Sequence, residues 1–120
     1  MKKILLADDK PASRELIRAI LAQSGYSIFE AGDGSEALRT AREILPDLII
    51  LDLHMPHLDG FQVIAQLRAD QKFTATPILA LTASAMRGDR ERAMAAGFTG
   101  YIAKPIGLNA LRKEIGRYLN

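Results

Sequence analysis

Leu48-Ile49-Ile50-Leu51-Asp52 is an unbroken apolar run closed by a carboxylate. A strand with one wet face would alternate apolar and polar residues. Continuous apolarity over so short a run predicts a strand covered on both faces, as in a parallel sheet. Lys3–Ala7, Tyr26–Phe29, Ile78–Leu81 and Gly100–Ala103 have the same character. Between these runs the apolar residues take helical spacing. Leu16, Ile17, Ile20 and Leu21 form one stripe, with Gly25 as its expected cap. Ala37, Leu38, Ala41 and Ile44 form a second, stopped by Pro46. Phe61, Ile64, Ala65 and Leu67 form a third after Gly60, Arg87 to Ala96 reads as a fourth helix capped by Gly97, and Leu108, Leu111, Ile115 and Leu119 mark the last. Strand and helix alternate from end to end without a linker. The expectation is one α/β domain over residues 1–120: a doubly wound, five-stranded parallel sheet with five helices in a three-layer sandwich and right-handed crossovers.

Composition narrows the chemistry. The chain has 120 residues, 48% of them hydrophobic and 25% charged, the balance of a folded protein and not of a disordered tail. Without cysteine it has no disulfide framework, zinc–thiolate cluster, iron–sulfur centre or thiol nucleophile. No apolar run approaches the roughly 20 residues that span a bilayer. The basic start, Met1-Lys2-Lys3, is followed only by Ile4–Ala7 before Asp8-Asp9, which is too short for a secretory signal. A cytoplasmic protein is expected. The net charge of +2 is spread along the chain without a basic block or an aromatic platform, so neither nucleic acid nor membrane is an expected partner.

Each apolar run ends in a polar residue: Asp8 and Asp9, Glu30, Asp52, Thr82 and Lys104 in turn. In open parallel sheets ligands bind beyond the carboxyl ends of the strands. Asp9, Asp52, Thr82 and Lys104 are therefore expected to gather at one edge. Carboxylates, a hydroxyl and an ammonium together suit a hard cation and a phosphoryl group. Mg²⁺ takes oxygen ligands, commonly one or two carboxylates plus phosphate. Asp52 has the chemistry of a carboxylate nucleophile, and Lys104 and Thr82 that of groups holding phosphoryl oxygens.

Asp8-Asp9, Leu48 through Gly60, Leu81-Thr82-Ala83 and Lys104-Pro105, in this order and spacing, closely resemble the receiver domain of two-component response regulators. Ala31-Gly32-Asp33-Gly34-Ser35-Glu36-Ala37-Leu38 also resembles that family's second βα loop, and the likeness covers essentially the whole chain. Thr82 through Asp89 is most similar to single-domain receivers of the DivK and CheY type, and to receivers attached to hybrid kinases. The resemblance implies a flavodoxin-like sheet of order 2-1-3-4-5. It implies that Asp52 accepts phosphate from a phosphohistidine on a histidine kinase or histidine phosphotransfer protein. Asp9, Asp8, Asp52 and the backbone carbonyl of His54 would hold Mg²⁺. Thr82 and Lys104 would hold the phosphoryl oxygens, and Tyr101 would be the switch aromatic that remodels the face of the fourth helix, fifth strand and fifth helix for a downstream protein. His54 and Ser84 fall where the family tunes the lifetime of the phosphoaspartate, and Lys104-Pro105 where it usually has a cis peptide. The resemblance further implies a phosphorelay switch that is not an enzyme, without an output domain, as a monomer or a phosphorylation-dependent dimer.

Each of these residues also has a plainer reading. Asp8-Asp9 alone would be a solvated strand end, Thr82 a β-branched strand residue, Lys104 a surface lysine and Tyr101 packed core. His54 and His57, without soft ligands nearby, are expected to be exposed. Asp59 is expected to satisfy loop amides ahead of the third helix, and Arg87, Arg90 and Arg92 to form a solvated face with local ion pairs. An aspartyl-phosphate phosphatase is the alternative enzyme, but Asp52-Leu53-His54 lacks the second aspartate of a D-x-D loop. A receiver taken from a hybrid histidine kinase is the alternative setting for the same chemistry. A flavodoxin-like FMN carrier is disfavoured by two repelling carboxylates and a proline where its phosphate loop would lie.

Overall fold

The computed structural model describes residues 1–83 and 88–119. Five strands alternate with five helices: β1 (Lys3–Ala7), α1 (Pro11–Ala22), β2 (Ser27–Ala31), α2 (Gly34–Ile44), β3 (Leu48–Asp52), α3 (Gly60–Ala69), β4 (Ile78–Thr82), α4 (Asp89–Ala96), β5 (Gly100–Ala103) and α5 (Leu108–Leu119). All pairings are parallel and the order is β2-β1-β3-β4-β5, so the expected doubly wound sheet is what the chain forms.

The continuous apolarity of the strands has the cause read from it. Leu5, Ala7, Ile49, Leu51, Ile78 and Ala80 pack on one face with α2, α3 and Ala93 of α4. Ile4, Leu6, Leu48, Ile50, Leu79, Leu81 and Ile102 pack on the other with α1 and α5. Successive side chains of a strand point to opposite faces, so a strand with helices on both sides has no wet position. Each fully buried Leu or Ile stabilises the fold by about 1.5–3 kcal/mol. That apolar interior is what lets a charged edge be built.

Helix boundaries follow local chemistry. The Asp33 side chain accepts from Glu36 N–H at 2.8 Å and starts α2. Asp59 and Gln62 form a reciprocal capping box at α3, the structural role expected of Asp59. Gly97, at φ +110°, ends α4.

Several expectations shift. Helix α1 ends at Ala22, and Gly25 instead serves the following turn at φ +80°. Leu16 is 49% exposed, because the stripe that covers the sheet is Ile17, Ile20 and Leu21. In α3, Val63 takes the buried place expected of Ala65. Strand β2 begins at Ser27 and continues to Ala31, so Glu30 lies within the strand. Arg87, read as the start of the fourth helix, and Ser84 lie outside the described residues.

Candidate functional site

Register places the site. Ala7 lies opposite Leu51, Asp52 opposite Leu81, and Thr82 opposite Ala103. The residues at these strand ends and one step beyond them, Asp8, Asp52, Thr82 and Lys104, therefore meet at one edge of the sheet. The Lys104 N–H donates to the Thr82 carbonyl at 2.7 Å and the Leu53 N–H to the Leu81 carbonyl at 2.9 Å, which continues the ladder past the last paired residues.

Asp8, Asp52 and Thr82 are the buried polar residues of the described chain. One carboxylate oxygen each from Asp8, Asp9 and Asp52 lies within 4.8 Å of the others. The Lys104 ammonium bridges two of them, 3.0 Å from Asp8 Oδ2 and 3.1 Å from Asp52 Oδ2. It donates a hydrogen bond to Asp52, whereas its approach to Asp8 is an ion pair without hydrogen-bond alignment. Asp52 Oδ1 accepts from His54 N–H at 3.0 Å, and Asp8 Oδ1 from Lys10 N–H at 2.9 Å. Asp9 is more open, 31% exposed at its side chain, with Lys10 Nζ 3.7 Å from its Oδ1.

Two of the three carboxylates share one largely buried ammonium, and the crowding shows at Asp52. Burial raises the Asp52 carboxyl above the usual range and the Asp8 charge adds to it, more than the His54 amide and Lys104 offset. Burial pulls Lys104 down, yet its contacts with Asp8 and Asp52 hold it above the ordinary lysine value. Asp8 Oδ2 and Asp9 Oδ1 are buried and accept no hydrogen bond from any described residue. Buried carboxylate oxygens in that state are donor atoms for a hard cation, so this set fits Mg²⁺.

Of the remaining candidates, Thr82 is fully buried at the end of β4. Tyr101 is half-buried in β5 and packs against the α3–α4 side of the core. Burial, then Asp89 and Glu91, raise its hydroxyl pKa. It lines two adjoining cavities, one of about 310 Å³ between β5 and α5 and one of about 210 Å³ that also reaches α4, whose shared lining is Tyr101, Glu114 and Arg117. The side chains of His54 and His57 are exposed, as expected. The Lys104–Pro105 peptide is cis. Arg92 pairs with Asp89 at 3.4 Å and also lies 4.9 Å over the Phe61 ring, so the arginine face of α4 is partly anchored and not merely solvated.

Two contacts lie outside what the sequence motifs assign. A Cβ on Gly60 would meet the Asp52 carbonyl at 2.6 Å and Leu53 Cα at 2.8 Å, so α3 starts in direct contact with the backbone of the central aspartate. Arg68 donates to the carbonyls of Gly97, Phe73 and Thr76 and to the Thr99 hydroxyl, at 2.6–3.1 Å. It ties α3 to the β4 and β5 entry loops at the edge opposite the site.

Comparison with known proteins agrees with this geometry. Residues 4–116 match the family model of the response regulator receiver domain. The polar-differentiation response regulator DivK of Brucella ovis is 36% identical over 118 residues, 98% of this chain and 96% of that protein. Chemotaxis protein CheY4 of Vibrio cholerae superposes with a TM-score of 0.93 at 34% identity, covering 99% of each chain. The receiver domain of sensor histidine kinase PA1611 from Pseudomonas aeruginosa PAO1, solved with a magnesium ion coordinated in its active-site cleft, gives 0.90 at 37% identity over 98% of this chain and 96% of that one. With its strand order, its acidic pocket and these relatives, the chain belongs to the response regulator receiver domains of two-component signalling.

Proposed function

We propose that Asp52 is the phosphoacceptor of a phosphorelay switch, and that the acceptor state is prepared by the shared ammonium of Lys104. The observation that carries this reading is the bridge from Lys104 to both Asp8 and Asp52 beside two carboxylate oxygens without hydrogen bonds. In the transfer, an Asp52 carboxylate oxygen attacks phosphorus of a phosphohistidine on a histidine kinase or histidine phosphotransfer protein. The P–O bond of an acyl phosphate forms as the P–N bond breaks, and the leaving imidazole takes up a proton from solvent. Mg²⁺, held by Asp9, Asp8, Asp52 and the His54 carbonyl, would supply positive charge to the phosphoryl oxygens. Lys104 supplies a second charge from the opposite side, and Thr82 a hydroxyl donor. The His54 N–H keeps the carboxylate plane fixed during attack.

The same reading makes the chain a switch that assists its own phosphorylation without turning over a separate substrate, acting in the cytoplasm. The readout runs from Thr82 to Tyr101 and the α4-β5-α5 face, where the two cavities beside Tyr101 offer a protein target its contact surface. This chemistry serves a stand-alone receiver such as DivK and a kinase-borne one such as that of PA1611 alike. Incubation with a small phosphodonor and Mg²⁺, followed by intact-mass measurement, tests it. A single labile phosphoryl adduct is expected on the wild type and none on Asp52→Asn. An adduct that persists on Asp52→Asn overturns the assignment.

A further inference from the structure

We infer that Arg14 is a positioning residue for the acidic pocket, fixing the peptide that aims Asp9; this rests on the reading of the pocket as a Mg²⁺ site. The three carboxylates are not held alike. Asp52 ends a central strand, with both carboxylate oxygens in hydrogen bonds. Asp8 is buried, its N–H donating to the Ala31 carbonyl at 3.1 Å and its side chain engaged by Lys10 N–H and Lys104. Asp9 follows in the β1–α1 loop, is a third exposed, and among the described residues its carboxylate has an exposed lysine as ion-pair partner and no hydrogen bond to its Oδ1. Its direction therefore depends on the peptide plane that precedes it, which carries the Asp8 carbonyl. That carbonyl accepts from Arg14 Nη1 at 2.6 Å.

The guanidinium is itself fixed. Arg14 Nε donates to Glu30 Oε1 at 3.2 Å, and Arg18 Nη1 holds the other oxygen, Glu30 Oε2, at 2.6 Å. Glu30 sits within β2, so the chain of contacts runs from a sheet strand through Arg14 to the loop bearing Asp9. The planar fork matters, because two different nitrogens must reach a carboxylate and a carbonyl at once. A lysine presents a compact charge without that rigid fork, so it does not hold the carboxylate and the carbonyl in the same fixed geometry. The Pro11 start of α1 sets the helix that carries Arg14 and Arg18, one turn apart, along the same side of the pocket.

Charge and position predict opposite signs, which makes the inference decidable. Removing a cation beside a cation site should tighten Mg²⁺ binding if Arg14 acts only through its charge. Loss of positioning should weaken it, by about tenfold on the scale seen for outer-shell groups that orient metal ligands. Mg²⁺ is titrated calorimetrically into wild type, Arg14→Met, Arg14→Lys and Arg18→Met, well below each unfolding midpoint, so that lowered stability alone does not change the dissociation constant. The expected pattern is about tenfold weaker binding for both Arg14 variants. Arg18→Met, which loses the same charge and the same Glu30 partner without touching Asp8, should bind as tightly as wild type or more tightly. Unchanged or tighter binding in Arg14→Met overturns the inference. If that variant does not fold, Arg14→Lys decides: charge alone predicts wild-type affinity, and position predicts the loss. A wild type that binds no Mg²⁺ overturns the metal-site reading itself, an outcome separate from failure of the Arg14 variants to differ.

Discussion

Replacing Asp52 by asparagine should stabilise the metal-free protein, although it removes a partner of a buried ion pair. Asparagine keeps the shape and still accepts from His54 N–H through its carbonyl oxygen. It loses attraction to Lys104 Nζ at 3.1 Å, about 5 kcal/mol at an effective dielectric constant of about 20. It also ends repulsion from Asp8 and Asp9, whose oxygens lie within 4.8 Å, about 3.5 kcal/mol each on the same scale. Asp9 is a third exposed, so solvent reduces its share. The balance favours asparagine by about 1–2 kcal/mol, and the cost of keeping Asp52 charged while buried acts in the same direction. For a chain of this length that is about 4–8 °C in the unfolding midpoint. The pH dependence has a definite sign. The folded state raises the Asp52 pKa, so the stability tied to its proton is present in acid and is lost as pH rises through the folded value. The gap between Asp52→Asn and wild type should therefore open as pH rises from about 4 toward neutrality, and groups that do not interact with Asp52 cancel from the difference. Circular-dichroism melts in chelator at low ionic strength measure it. A variant that melts below wild type at neutral pH, or a gap that widens toward acid, refutes the charge balance described for the pocket.

Saturating Mg²⁺ should reverse that order. At about 100 times its dissociation constant it adds about 2.7 kcal/mol to wild type, roughly 10 °C, and much less to Asp52→Asn; a wild-type midpoint indifferent to Mg²⁺ at low salt removes the metal from the mechanism. Lys104→Ala leaves Asp8 and Asp52 buried with no shared ammonium, so the metal-free protein should lose about 3 kcal/mol. Mg²⁺ should still bind that variant, whereas phosphorylation-linked change at Tyr101, followed by NMR, should be lost; wild-type switching would take Lys104 out of the mechanism. Arg68→Ala should lose about 3 kcal/mol in chemical denaturation, because the carbonyls of Gly97, Phe73 and Thr76 lose their charged donor. A loss below about 0.5 kcal/mol would show that solvent satisfies those carbonyls equally well.

The strands were legible because a doubly covered strand has no polar position to hide its pattern. The candidate site was legible because parallel strands all present their carboxyl ends to the same edge, so Asp9, Asp52, Thr82 and Lys104, distant in sequence, needed only the fold class to be brought together. The helical stripes were read less well. Leu16 obeys the same spacing as Ile17 and Ile20, and nothing in the period says that the covering face of α1 turns away from it. Helix α4 buries only Ala93 among its described residues, so its boundary rested on Gly97 and not on a stripe.

Arg14 and Arg68 were beyond reach for one shared reason. Each is an arginine on a helix, an ordinary residue for a solvent-facing side, and each acts on backbone carbonyls: Asp8 for Arg14, and Gly97, Phe73 and Thr76 for Arg68. A carbonyl has the same chemistry whatever side chain accompanies it, so its partner leaves no mark in the sequence at the accepting position. Side-chain chemistry at strand ends shows what a pocket can bind. The arginines that set the angles of that pocket become visible only once the chain path places a guanidinium beside a carbonyl. In this chain the distinction falls between Asp9, whose carboxylate was named as a ligand, and the Arg14–Glu30 link that decides where that carboxylate points.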